Sequence, residues 1–330
     1  MRLSVLDQSV AVAGRPHEQS IRNTVALARH CEALGYERFW VSEHHNHPTI
    51  VGTAPEIVMA AIAATTERIR IGSAGIMLPH YSAFKVAEVF RVLDALAPGR
   101  IDMGLGRAPG SDGLTAYALN PMANERPEHF PSDIRDLMAW VHDEPLVNGH
   151  PFARVKAYPH GPTAPEVWIL GSSDYGAQVA ALFGLPYCYA WFFSDGQGGE
   201  RAIDLYRRTY RPSARHPTPR SGLCIWALAA PTMEEAQHHL TSRVLSRINR
   251  DSGILGPLQS PDDAATALGS ADQARIERIR RDTFVGTGPQ VMARIVELKE
   301  QVGVDEMAVV TWTYDEEVRR QSYTELAKAF

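Results

Sequence analysis

An α/β architecture, a closed (β/α)8 barrel with insertion segments, is predicted by three observations. Eight short runs of β-branched and aromatic residues alternate with longer amphipathic stretches. Glycine follows the amphipathic stretch at Leu34-Gly35, Ala97-Pro98-Gly99, Phe183-Gly184 and Val302-Gly303, each time just before a strand-like run. The length of 330 residues, about twice that of an ordinary domain, is one at which such barrels close as a single unit. One domain over residues 1–330 is therefore expected, with no low-complexity tract or linker dividing it.

The elements follow in order. The first strand is expected at residues 3–6 (LSVL), before a helix over 20–34 that Gly35 stops. The second, at 39–42 (FWVS), precedes a helix over 54–65, and the third, at 69–73 (IRIGS), a helix over 83–96. The fourth, at 101–105 (IDMGL), is separated from its helix at 134–142 by an irregular segment, 108–131. A second irregular segment, 148–165, leads to the fifth strand at 167–170 and the helix at 174–183. The sixth and seventh are placed at 187–191 and 224–229, with a helix over 233–248. The segment 251–288, with its Pro, Gly and Asp clusters and the charged run RIERIRRD, reads as a lid or an extra helix. Helix 289–302, the eighth strand at 307–311 and a last helix at 316–329 complete the chain.

Composition narrows function. Hydrophobic residues at 45% and charged residues at 22% exclude disordered and fibrous classes. A net charge of −5 offers no basic field to a phosphodiester backbone, so no nucleic-acid partner is expected. The arginines at 207, 208, 211, 215 and 220 read as a solvated helix end and loop. Cys31, Cys188 and Cys224 form neither a disulfide framework nor a zinc pattern and suit buried thiols in a reducing compartment. Asp7 interrupts the N-terminal apolar run, and the longest such run, residues 57–64, falls far short of the roughly 20 residues a membrane span needs. A cytoplasmic protein with no membrane partner is expected.

Barrel chemistry sits in the loops after the strands, and four of those junctions carry it here. Glu43-His44-His45-Asn46-His47 follows the second strand. The cluster lacks helical metal-site spacing, so no metal is expected. Acid/base or cofactor contact is the favoured reading, with His44 or His45 as proton donor, ahead of a structural role. Ala74-Gly75, after the third strand, either lets a flat ring lie on the backbone or is simple packing. In GLGRAPG the glycines at 104, 106 and 110 do not match a dinucleotide fingerprint, and Pro109 interrupts a helix start. There the glycines allow close backbone approach and Arg107 either reaches a phosphate or forms a rim ion pair. Gly171-Ser172-Ser173 precedes the apolar helix AQVAALF, as at an anion-binding N-terminus, though Ser173 or Asp174 can equally be an ordinary cap. Trp191, Phe192, Phe193, Trp226 and Trp312 either line a substrate cavity or belong to the core.

Taken together, LSVLDQS, FWVSEHHN, IGSAGIMLPHYSAFKVAE, DALAPGRIDMGLGRAPGSD, WILGSSDYGAQVAALFGLP and VGTGPQVMARI, in that order, resemble the luciferase-like flavin-dependent monooxygenases, the family of bacterial luciferase. The resemblance implies a TIM barrel with an FMN site, in a homodimer packed through helices 54–65 and 83–96. His44 matches the family's active-site histidine, Ala74-Gly75 its non-prolyl cis peptide, Arg107 its phosphate-binding arginine, and Ser172 and Ser173 its phosphate-holding residues. Gly106 and Ser172 stand where the luciferase α subunit has a reactive cysteine and a glutamate, so light emission from long-chain aldehydes is not implied. The implied activity is two-component: reduced FMN from a flavin reductase and O2 give a peroxyflavin that oxygenates a small organic substrate. An F420-dependent hydride transferase and a non-catalytic flavin-binding protein are the alternatives.

Overall fold

A computed structural model describes residues 3–108, 111–122, 126–269 and 272–329; Pro109 and Gly110 of the glycine-rich segment lie outside them. Nine strands are described: β1 (Ser4–Asp7), β2 (Arg38–Val41), β3 (Arg70–Met77), β4 (Ile101–Gly106), β5 (Glu166–Gly171), β6 (Tyr187–Tyr189), β7 (Ser221–Ala229), β8 (Phe284–Gly286) and β9 (Glu306–Val310). Eight of them close a parallel barrel in the order β1-β2-β3-β4-β5-β6-β7-β9, and β9 returns to β1. The predicted (β/α)8 barrel is the observed fold.

Side-chain alternation on the strands sorts the core into two layers. Val5, Phe39, Ile71, Met103, Ile169, Leu223 and Ile225 point outward into the helical ring. Leu6, Trp40, Trp168, Cys188, Cys224, Trp226 and Val310 point into the lumen. The lumen cluster continues into Leu240 and Val244 of helix Met233–Asp251 and into Leu268 and Ile276, which caps that end of the barrel.

Three expectations need correction. The segment 251–288 holds extra helices, Pro261–Leu268 and Gln273–Asp282, as one of its two readings expected, but it then adds an unexpected ninth strand, β8, whose three residues pair with the far end of β7. A strand of three residues is too short to show a period. The sixth strand ends at Tyr189, and Trp191–Ser194 turns helical. The third runs on to Met77, so Ala74-Gly75 lies within it rather than after it.

A ring of ion pairs closes the N-terminal end of the barrel. Arg38 at the start of β2 donates to Asp102 (2.7 Å), Glu306 (2.9 Å) and Glu166 (3.1 Å), and Arg70 donates to Asp102 (2.9 Å). Trp40 and Trp168 donate their indole N–H groups to Asp102 and Glu166, at 2.9 and 3.0 Å. Arg220, expected in solvent, also joins Glu166 and Glu306, and Arg207 binds the carbonyls of Val302 and Gly303. Both arginines are structural. No helix of the described residues is long and apolar enough to cross a membrane.

Candidate active site

The opposite, C-terminal end of the barrel brings the four junctions together, because β2, β3, β4 and β5 are consecutive neighbours. At the end of β2 Glu43 is fully buried and accepts from His45 Nε2 (2.7 Å), the Tyr81 hydroxyl (2.8 Å) and the Met77 N–H (3.1 Å). This carboxylate ties the β2 loop to the end of β3, a role the sequence did not show. The three histidines consequently diverge. His45 is spent on Glu43, and His47 Nδ1 accepts from the N–H groups of Thr49 and Ile50 (3.2 and 3.1 Å).

His44 is the remaining one. Its backbone N–H is held by the Gly52 carbonyl (3.1 Å), Ser42 Oγ lies 3.4 Å from Nδ1, and its ring meets that of His47 edge-on. Burial, with His47 and His45 adding to it, lowers its pKa to about 4. At neutral pH the ring is uncharged. The expected proton donor is thereby narrowed to a neutral imidazole that accepts a proton or hydrogen-bonds through N–H.

The next junction places two backbones in close approach. The Ala74–Gly75 peptide bond is cis, and the β3–β4 register shifts between Ser73 and Ile76. A Cβ added at Gly104 would sit 2.1 Å from the Ser73 carbonyl oxygen, and one at Gly75 would sit 2.8 Å from the Gly104 carbonyl oxygen. No side chain fits at either position. Ala74 packs against the lumen cluster, so a surface poor in side chains faces inward there.

Beyond β4, the Arg107 guanidinium lies over the Tyr175 ring, 4.0 Å from its centroid. Tyr175 belongs to the first turn of helix Asp174–Phe183, so Arg107 stands beside the start of that helix. Among the described residues Arg107 has no carboxylate partner, which removes the rim ion-pair reading. Ser173 caps the helix without a side-chain hydrogen bond, and among the described residues neither its hydroxyl nor that of exposed Ser172 has a partner. Asp174 turns away to Arg201 (3.1 Å). A free cation, two free hydroxyls and the unpaired N–H groups of a helix start suit a phosphate. Tyr175, which positions the arginine, was not singled out in the sequence although only Asp174 separates it from the two serines.

The aromatic residues divide. Trp226, Trp312 and Phe192 belong to or pack against the lumen cluster, Trp191 packs in the outer layer, and Phe193 is exposed.

A family model described as luciferase-like monooxygenase matches residues 1–306. Among curated proteins, the uncharacterized YwcH of Bacillus subtilis is 42% identical over 99% of this chain and 98% of its own. The N-acetyl-S-alkylcysteine monooxygenase of the same organism is 33% identical over 100% and 98%. Among solved structures, apo-MsnO8 superposes with a TM-score of 0.90 at 34% identity, covering 100% of this chain and 98% of that one. Two others share the fold at lower identity. The oxygenating constituent of 3,6-diketocamphane monooxygenase from Pseudomonas putida in complex with FMN has a TM-score of 0.73, at 19% identity and coverage of 99% and 97%. An F420-dependent secondary alcohol dehydrogenase has 0.69, at 15% identity and coverage of 99% and 98%.

Proposed function

This chain belongs to the luciferase-like monooxygenase family, and from that premise we propose that it takes reduced FMN from a separate flavin reductase and uses O2 to oxygenate a small organic substrate. One observation carries the choice of cofactor: Arg107, stacked on Tyr175 at the start of the helix that Ser172 and Ser173 precede, and the two serines offer donors without partners among the described residues, on the same rim as the bare Ala74–Gly75 backbone and neutral His44. Those residues fit a flavin mononucleotide. Arg107, Ser172 and Ser173 hold the phosphate, and the backbone at Ala74 and Gly75 leaves room for a flat ring. Reduced flavin supplies the electrons that activate O2. His44 accepts or hands on a proton at a ring nitrogen, and the apolar lumen keeps water from the reacting atoms.

The fold also suits a deazaflavin, so anaerobic titration with reduced FMN and, in parallel, F420 tests the reading. Reduced FMN should bind. Binding of F420 alone turns the proposal into hydride transfer, and binding of reduced FMN that leads to no oxygen uptake with any substrate makes the protein a flavin holder.

A homodimer is part of the proposal. Ile57, Val92 and Leu96 are exposed on the neighbouring helices Pro55–Ala63 and Ala83–Leu96, an apolar face for a second copy. Light scattering should give twice the chain mass for the wild type and the single-chain mass for Val92→Glu. A wild-type monomer at micromolar concentration contradicts this. The three buried thiols are unpaired, in keeping with a cytoplasmic site of action.

A further inference from the structure

Arg243 enters the lumen from helix Met233–Asp251, and the flavin reading gives it no task. It is only 7% exposed, and its guanidinium lies 5.2 Å from the centroid of the Trp226 ring and 5.3 Å from that of Trp312. Among the described residues it makes no ion pair and no hydrogen bond, and its Nε is fully buried without an acceptor. The carboxylates on that side are taken: Asp195 pairs with Arg247, and Asp251 with Arg247, Arg250 and Arg275. The indole N–H of Trp226 is likewise buried with no acceptor among the described residues, whereas that of Trp312 is spent on Gln8 (3.1 Å).

An arginine buried without a counter-charge is costly, and its stacking on indole faces leaves its N–H fork unused. Burial, with Arg247 and Arg250 adding to it, lowers its pKa to about 9, which still leaves it charged at neutral pH. What is missing is an anion. The guanidinium is a planar fork suited to a planar carboxylate, and it lies against the Trp226 and Trp312 rings, while the nearby Arg247 and Arg250 are already engaged by Asp195 and Asp251. A phosphate is better served by the several donors around Arg107.

We propose that Arg243, with the Trp226 N–H, binds the carboxylate of an organic acid substrate whose apolar body lies along Trp226, Trp312 and Phe192. The proposal rests on reading this end of the barrel as the reaction site, and it narrows the substrate to carboxylic acids.

The test is calorimetric titration of the wild type, Arg243→Met and Arg243→Lys with phenylacetate, hexanoate and N-acetylmethionine. Each acid is set against its own amide, and inorganic phosphate is a further arm. The wild type should bind at least one acid at least about tenfold more tightly than its amide. Arg243→Met should lose that preference and melt no lower than the wild type, because an uncompensated buried charge has been removed. Arg243→Lys should keep part of it. The proposal is overturned if no acid is preferred, if Arg243→Met keeps the preference, or if phosphate binds at Arg243 as well as the acids do. It is also overturned if Arg243→Met melts several degrees below the wild type, since the cation is then structural. Reduced FMN should bind Arg243→Met as it binds the wild type. An acid preference in a wild type that does not bind reduced FMN refutes the flavin reading alone.

Discussion

His44→Asn is expected to lower flavin-dependent turnover by about 10²–10⁴-fold, the usual contribution of a positioned acid/base group, while reduced FMN binds with nearly wild-type affinity. The expectation follows from placement. His45 and His47 are committed to Glu43 and to their own loop backbone, and His44 alone combines burial at the rim with a ring free of strong internal bonds. The pH dependence has a definite sign. A histidine lowered to about 4 is uncharged down to that pH, so the acid limb it causes should fall near pH 4, not near the ordinary histidine value of about 6.5. Turnover against pH in the wild type, with the limb absent from the variant, checks both parts. Unchanged turnover in His44→Asn removes the residue from the mechanism.

Asp102→Ala should cost about 3–5 kcal/mol of unfolding free energy, the range found when one partner of a buried ion pair is removed. Asp102 is 1% exposed in its side chain and Arg38 is 4% exposed, so the variant takes one of three carboxylates from a buried guanidinium and leaves the Trp40 N–H without its acceptor. Arg38 keeps Glu166 and Glu306, which holds the loss to the lower part of that range. Urea denaturation followed by tryptophan fluorescence measures it. A loss below about 1 kcal/mol would show that the ring of charges at the base of the barrel does not act as one network.

Much of the fold was legible because strands and helices repeat with different periods and because Gly35, Gly184 and Gly303 end helices in the left-handed conformation at positive φ. The glycine-rich fourth junction was legible as a place of close backbone approach, and the structure shows Gly104 packed against Ser73. The base of the barrel was not. Arg38, Arg70, Asp102, Glu166, Arg220 and Glu306 lie at the starts of different strands, and only closure of the barrel brings them together. Arg220 therefore read as one of a solvated basic run. Arg243 was hidden in the same way: within the charged helix MEEAQHHLTSRVLSRINRD its position shows no sign of facing the lumen. The uncharged state of His44 depends on burial, which the run of histidines does not display.

The central claim is that Arg107 and the two serines hold the phosphate of a reduced flavin. Its most direct test is anaerobic titration of the wild type and Arg107→Ala with reduced FMN and with reduced riboflavin, which lacks the phosphate. A charged hydrogen-bonded contact contributes about 1.5–3 kcal/mol, so removing either the phosphate or the guanidinium should weaken binding about 10–150-fold. Removing both should cost little more than removing one. Equal affinity of the wild type for reduced FMN and reduced riboflavin would contradict the account.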